Sequence, residues 1–345
     1  MLEIYIPKAD FSDDMSWTVN EIFSRFLGIE FSLIESDKDV YEICHKGKKI
    51  SINQTFSFMK DNWLSDQSLP DTCINYVELH SIEWHVNSYF SDIPILYGDK
   101  KITCSDKEIY IGLDIIGTIF FLLSMYSESV VEEKDRHQRV LLENSFLYKS
   151  GLYSRPIVNE HIELLRGALL ALWPDLKFKK RMFTKTITCD VDRMYECESH
   201  SFFWLIRRVI LNAARGKFLK ETALLFGNYF SNTSKIKDES YKNLLWILSK
   251  NKEIGNKVIF YFIAGSSSLF MDTCYKINDQ IVKGIIKKIS KAGHIIGIHL
   301  SYNTSVSYKS ALKELRTLEG TLKSVNISQY LSLSRQHYLK WNQCI

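Results

Sequence analysis

Proline is scarce in this chain, five among 345 residues, and glycine is modest at fifteen. Together these counts argue against long disordered linkers. The seven cysteines are odd in number and scattered, with no C-x-x-C pair among them. That pattern speaks against a disulfide framework and a structural zinc ribbon, and it fits a reducing compartment. The formal net charge is only +4, and no clustered basic face is evident, so the balance gives no case for nucleic acid. The N-terminus, Met1-Leu2-Glu3-Ile4-Tyr5-Ile6-Pro7, lacks the basic and apolar regions of a signal peptide and reads as a β-strand; the expected location is the cytoplasm. Long apolar runs are also missing. The nearest approach to a membrane span, Ile109 to Tyr126, holds Asp114 and two glycines and is flanked by Glu108 and Glu128. A buried helix is the better reading of it, and no membrane span is expected.

What is present is an ordinary globular composition, 46% hydrophobic and 24% charged, long enough for two domains. Residues 1–145 read as an N-terminal α/β domain of unknown role. Apolar residues at helical spacing from Ser16 to Leu27 stop at Gly28, and short strands follow at 29–34, 40–44 and 49–52 with Gly47 at a hairpin turn. Further strands are expected at 93–97, 101–104 and 108–111, with Gly98-Asp99 as a turn and Pro94 restricting the first of them to an edge. His45, His80 and His85 have no ligand spacing with a nearby carboxylate and read as structural or exposed. Residues 146–180 read as a connector, in which Arg155-Pro156 breaks the local structure and Asn159 caps a helix from Glu160 to Trp173.

From 181 to 345 the pattern changes to alternating strands and helices. Strands are expected at Thr184–Thr188, Lys257–Gly265, His294–His299 and Tyr330–Ser334, with helices at Phe202–Arg215, Ser240–Asn251, Asp279–Ala292 and Ser305–Lys323. The run Val258-Ile259-Phe260-Tyr261-Phe262-Ile263 is apolar without alternation, as for a strand buried on both faces of a parallel sheet. Repeated βα units with chemistry-bearing residues at strand C-termini point to the face where β/α barrels carry their sites.

The chemistry centres on Thr186-Ile187-Thr188-Cys189-Asp190-Val191-Asp192. Carboxylates two apart on a strand share a face and repel unless a cation or a shared proton relieves them. A lone D-x-D is most simply a strand-end turn with solvated carboxylates, but this one is accompanied. His299 stands in Gly293-His294-Ile295-Ile296-Gly297-Ile298-His299-Leu300-Ser301-Tyr302-Asn303, and His337 in Ser334-Arg335-Gln336-His337-Tyr338. Oxygen and nitrogen donors of this kind suit a divalent metal.

These motifs resemble those of the polysaccharide deacetylase superfamily, the NodB-homology or carbohydrate esterase family 4 proteins, and most closely a bacterial subgroup whose first motif reads T-H-D-V-D behind an uncharacterised N-terminal domain. The resemblance implies an incomplete deacetylase-type β/α barrel after the N-terminal α/β domain. It implies Asp190 as catalytic base braced by Arg335, and Asp192, His299 and His337 around a divalent metal, zinc first, with cobalt, manganese or nickel as alternatives. Ser301, Tyr302, Asn303 and Tyr338 would face an acetylated carbohydrate substrate. The chain departs from the pattern at Cys189, where the subgroup has His, at Ile295 and Leu300, where it has an acidic residue and Pro, and at Asn303, where many relatives carry the second metal histidine. A buried inert thiol is the favoured reading of Cys189 over a soft ligand. About 165 residues follow Arg181, fewer than the roughly 200 or more of a complete barrel. An open barrel edge would call for a partner or self-association to cover it. The activity implied is hydrolysis of acetyl groups on a surface polysaccharide or its precursor; a truncated, inactive relative that keeps a sugar- or metal-binding fold is the alternative.

Overall fold

A computed structural model describes residues 1–8, 12–180, 182–195, 238–268, 271–273 and 275–341, with 206, 209, 210 and 213 as isolated positions. The helix expected at Phe202–Arg215 lies outside the described residues apart from those four positions. The chain divides into two compact units, Met1–Met182 and Phe183–Ile345.

The first unit is built on strands β1 (Leu2–Pro7), β2 (Phe31–Ser36), β3 (Val40–His45), β4 (Lys48–Asn53), β7 (Gly98–Cys104) and β8 (Glu108–Leu113). They form one mixed sheet in the order β2-β1-β3-β4-β8-β7. β1 and β2 run parallel, as do β4 and β8, whereas the β3–β4 hairpin turns tightly at Lys46-Gly47. Strands β5 (Asn75–Glu78) and β6 (Asp92–Ile95) pair only with each other, so Pro94 does sit on an edge strand. The bend between β6 and β7 falls at Leu96-Tyr97 rather than at Gly98-Asp99. Gly98 (φ +95°) already belongs to β7, and a Cβ there would meet the Gly112 carbonyl oxygen at 2.2 Å.

Helices α1 (Asp13–Asn20), α2 (Ile115–Leu123), α3 (Tyr126–Val130), α4 (Phe146–Lys149) and α5 (Ile157–Leu172) complete this unit. The expected first helix is real but continues from α1 as a π-helical turn, Glu21–Leu27, closed by Gly28 at φ +67°. Asp114, 1% exposed, caps α2 through the Gly117 N–H and also accepts the Thr55 and Phe56 N–H groups, so one carboxylate fixes a helix start to a neighbouring loop. The apolar run around it is therefore β8 plus a buried nine-residue helix. No helix among the described residues is long and apolar enough to cross a membrane.

Helix α5 starts at Ile157, behind Pro156, and not at Glu160 behind an Asn159 cap. Glu160 is committed elsewhere: it and Asp92 both bind the Arg155 guanidinium, which packs 4.2 Å from the Phe90 ring centroid. The helix buries His161, Leu164, Leu165, Ala168 and Leu169 in the first hydrophobic core. The segment from 146 to 180 is thus packed within the first unit, and the boundary falls after Met182.

The second unit carries a curled parallel half-barrel sheet of four strands: β9 (Ile187–Val191), β10 (Val258–Ile263), β11 (Ile295–Leu300) and β12 (Ser334–Gln336). They lie in chain order, β9-β10-β11-β12, all parallel. A sheet wound one way without reversal has no switch point between strands of opposite winding. Helices α6 (Glu239–Glu253), α7 (Gln280–Lys291) and α8 (Tyr308–Ser324) connect or precede the strands. Val282, Ile285, Ile286 and Ile289 make the apolar stripe of α7, joined in one core by Val258, Phe260, Phe262, Ile296, Ile298, Leu318 and Leu322. Those strand positions alternate, so the helices cover one face of the sheet.

Two strand boundaries differ from the sequence reading. β9 begins at Ile187 and reaches Val191, because its pairing with β10 runs from Ile187–Val258 to Val191–Phe262. β12 begins only at Ser334. Upstream of it the Gln329 amide accepts from the Ile296 N–H at 3.1 Å and donates to the Ile296 carbonyl at 2.6 Å, taking the hydrogen bonds a longer strand would make.

Candidate functional site

The face of the half-barrel opposite the helix-packed core gathers the predicted chemistry. Register places Asp190 beside Tyr261, Tyr261 beside Gly297, and His299 beside Arg335. Parallel neighbours share a face, so these side chains converge from four strands. Cys189 points the other way, against the second hydrophobic core, and burial pushes its thiol up to about 11. It is an inert packing residue.

Asp192 stands one residue past the end of β9, and His337 one residue past β12. The Asp192 Oδ1 lies 3.2 Å from His299 Nε2 and 3.6 Å from His337 Nδ1, and the two ring nitrogens are 3.1 Å apart. The outward nitrogens decide what these three atoms are. His299 Nδ1 is 2.9 Å from the Arg335 carbonyl oxygen, and His337 Nε2 is 2.8 Å from the Met271 carbonyl oxygen. A carbonyl can only accept, so each of those nitrogens carries the proton and donates. In the neutral imidazoles, His299 Nε2 and His337 Nδ1 are then bare lone pairs facing each other and a carboxylate oxygen.

Three acceptors at such distances repel unless a proton or a cation sits among them. Without a metal the relief comes from protonation. Burial, the largest single influence, disfavours the His299 cation, but the Asp192 hydrogen bond, the Arg335 carbonyl and the charges of Asp192 and Asp190 together outweigh it and raise the histidine above its ordinary value. The same hydrogen bond, against some desolvation and with His337 assisting, holds Asp192 below the usual carboxylate range.

The donor set also fits a divalent ion. Four-coordinate zinc with bonds of about 2.1 Å places neighbouring donors about 3.4 Å apart. The separations here are 3.1, 3.2 and 3.6 Å. Backbone carbonyls that fix histidine tautomers are the usual support of such ligands. The two imidazoles are buried, at 2% and 7% exposure, whereas the Asp192 side chain is 51% exposed, so the cluster opens to solvent on the carboxylate side.

Asp190 stays outside this trio. The Arg335 guanidinium donates to its Oδ1 at 2.9 Å and to Thr188 Oγ1 at 3.1 Å, and lies 5.0 Å from the Tyr261 ring centroid. Tyr261 can lie flat beneath it because its neighbour is Gly297, where a Cβ would meet the ring at 2.5 Å. Arg335 therefore joins both parts of the site: its side chain holds Asp190 and its carbonyl holds His299.

Ser301 and Asn303 are occupied in bracing the loops that follow β10 and β11. The Ser301 hydroxyl contacts Ser267 and donates to the buried Glu314, which also accepts the Ser301 N–H. Asn303 donates its side-chain amide to the Ser267 carbonyl at 2.8 Å. Asp272, at the centre of these loops, accepts the N–H groups of Ser267, Ser268 and Tyr302. Tyr302 and Tyr338 pack edge to face at 5.3 Å, and Tyr338 packs on His337 at 4.6 Å, forming an aromatic wall at the cluster.

Sequence reasoning overlooked Thr188, Tyr261, Asp272, Glu314 and Lys340. Thr188 was readable, being two residues before Asp190 on the same strand face. Tyr261 was not, since register between β9 and β10 sets its place. No curated protein and no solved structure matches the chain. Residues 2–174, half of the sequence, match a family described only as a family of unknown function (DUF7033), and the chain belongs to that family.

Proposed function

We propose that the second unit is a metal-dependent deacetylase that hydrolyses acetyl groups on a bacterial surface polysaccharide or its precursor. The observation that carries this reading is the convergence of three bare donors, Asp192 Oδ1, His299 Nε2 and His337 Nδ1, beside a separate carboxylate held by an arginine.

Asp192, His299 and His337 would hold the ion. When bound, a divalent cation supplies Lewis acidity toward an acyl carbonyl and a water molecule. Asp190 is the base. Arg335 occupies its Oδ1, which leaves Oδ2 to accept the proton of a water attacking the acetyl carbon. The attack breaks the acyl C–N or C–O bond, acetate leaves, and the proton gained by Asp190 is available to the departing sugar nitrogen or oxygen. Thr188 and Tyr261 hold the guanidinium in place beside Asp190. The wall of Tyr302 and Tyr338 offers ring faces and edges of the kind that hold a pyranose beside the reacting acetyl group.

The test is acetate release from an N-acetylated chito-oligosaccharide by the zinc-equilibrated chain, compared with Asp190→Asn. The reading expects turnover that falls at least about a hundredfold in the variant, with zinc content unchanged. Acetate release at equal rates from both proteins would overturn the role given to Asp190.

A further inference from the structure

The backbone just past His337 is strained. Tyr338 (φ 60°) and Leu339 (φ 51°) are consecutive non-glycine residues in the left-handed region, each costing on the order of 1 kcal/mol. Left-handed residues of this kind occur singly as a rule, and two in succession mark a turn held by its surroundings.

The turn has a definite product. It reverses the chain so that Lys340, three residues on, reaches back to the same wall that His337 and Tyr338 touch. The Lys340 ammonium stands 3.9 Å from the centroid of the Tyr302 ring. Tyr302 packs on Tyr338, and Tyr338 on His337. Two packed tyrosine rings, Tyr302 and Tyr338, thus link the ammonium to the Asp192–His299–His337 cluster.

Among the described residues, Lys340 forms no ion pair; Asp272 acts on it only through space. Asp272 is already engaged by the N–H groups of Ser267, Ser268 and Tyr302. Burial holds the Lys340 ammonium below the ordinary lysine value, with Asp272 opposing. An ammonium that is half-buried, set on an aromatic face and, among the described residues, outside any ion pair is poised for an anion from outside.

We propose that Lys340 is a specificity-determining residue that binds an anionic group of the substrate, so that the preferred substrate is an acetylated sugar bearing a phosphate or carboxylate next to the ring that carries the acetyl group. This rests on the deacetylase reading for the reaction, but the anion contact itself is a binding property that exists without turnover. The neutral alternative is that Lys340 only buttresses Tyr302. A methionine of similar length would preserve that packing and remove the charge.

The experiment is calorimetric binding of N-acetylglucosamine 1-phosphate and of N-acetylglucosamine to the full zinc-equilibrated chain, to Lys340→Met and to Lys340→Arg. The proposal expects the phosphorylated sugar to bind the native chain at least about tenfold more tightly than the neutral one. Lys340→Met should erase that difference and leave the neutral sugar's affinity unchanged, and Lys340→Arg should restore it. Zinc content and melting temperature of each variant, measured alongside, show that the site is assembled. Equal binding of the two sugars to the native chain, or a preference that survives in Lys340→Met, would overturn the proposal. Acetate release is followed separately: if no sugar is hydrolysed but the Lys340-dependent preference holds, the deacetylase reading fails and the anion site stands.

Discussion

The Arg335 carbonyl oxygen accepts the Nδ1 proton of His299 at 2.9 Å, while the Arg335 guanidinium, on the other side of the same residue, binds Asp190. One backbone position in β12 thus sets the tautomer of one cluster histidine and the placement of the neighbouring carboxylate. The two functions are separable, because the first belongs to the main chain and the second to the side chain.

Arg335→Lys separates them. A lysine keeps the charge but cannot bridge Asp190 Oδ1 and Thr188 Oγ1 with a planar fork. Acetate release should fall about a hundredfold, within the usual range for a misplaced general base, while zinc stoichiometry stays that of the native chain. Elemental analysis beside a turnover assay checks both. Loss of zinc from the variant would show that the side chain supports the cluster directly.

Asp272→Asn tests the support of His337. The carboxylate gathers three backbone N–H groups, and the Met271 carbonyl that fixes the His337 tautomer is its immediate neighbour. An amide cannot accept all of these bonds without turning its NH₂ toward a donor. Stability should drop by about 1–3 kcal/mol, and zinc affinity by about tenfold or more, as for other lost outer contacts of a ligating histidine. Urea denaturation and competition with a chelator measure the two. An unchanged zinc affinity in a destabilised variant would confine Asp272 to loop stability.

The first unit should weaken in acid because of His161. Its ring is fully buried, Nε2 donates to the Pro94 carbonyl at 2.9 Å, and Nδ1 has no partner among the described residues. Burial, with Arg155 adding to it and the Pro94 bond opposing, lowers its value to about 4 from an unfolded value of 6.5. Between those values the unfolded chain binds the extra proton, so the contribution is fully present above pH 6.5 and is lost as pH falls toward 4. A shift of this size corresponds to about 3 kcal/mol. Urea midpoints across that window should decline more steeply in the native chain than in His161→Gln. Parallel slopes would remove His161 from the acid response.

Much of this architecture was legible in residue pattern alone. The unbroken apolar run of β10, the stripe of α7 and the Gly47 turn each state their structure in local terms, because burial on two faces, helical spacing and a left-handed glycine leave local marks. The convergence of Asp192, His299 and His337 was legible through the D-x-D and histidine motifs. What could not be read was set by tertiary partners. The tautomers depend on carbonyls of Arg335 and Met271, which sequence does not place. The late start of β12 depends on Gln329 reaching Ile296 from outside the strand. The bond from the Asn303 side-chain amide to Ser267, in a loop after a different strand, is likewise set by tertiary placement.

The central claim is that Asp192, His299 and His337 hold one divalent ion, and metal content tests it most directly. The purified chain and an Asp192→Ala, His299→Ala double variant would be equilibrated with zinc, dialysed, and measured by elemental analysis, with circular dichroism to show that both are folded. The account expects close to one zinc per native chain and almost none in the variant. Folded native protein without zinc, or equal zinc in both proteins, would contradict it.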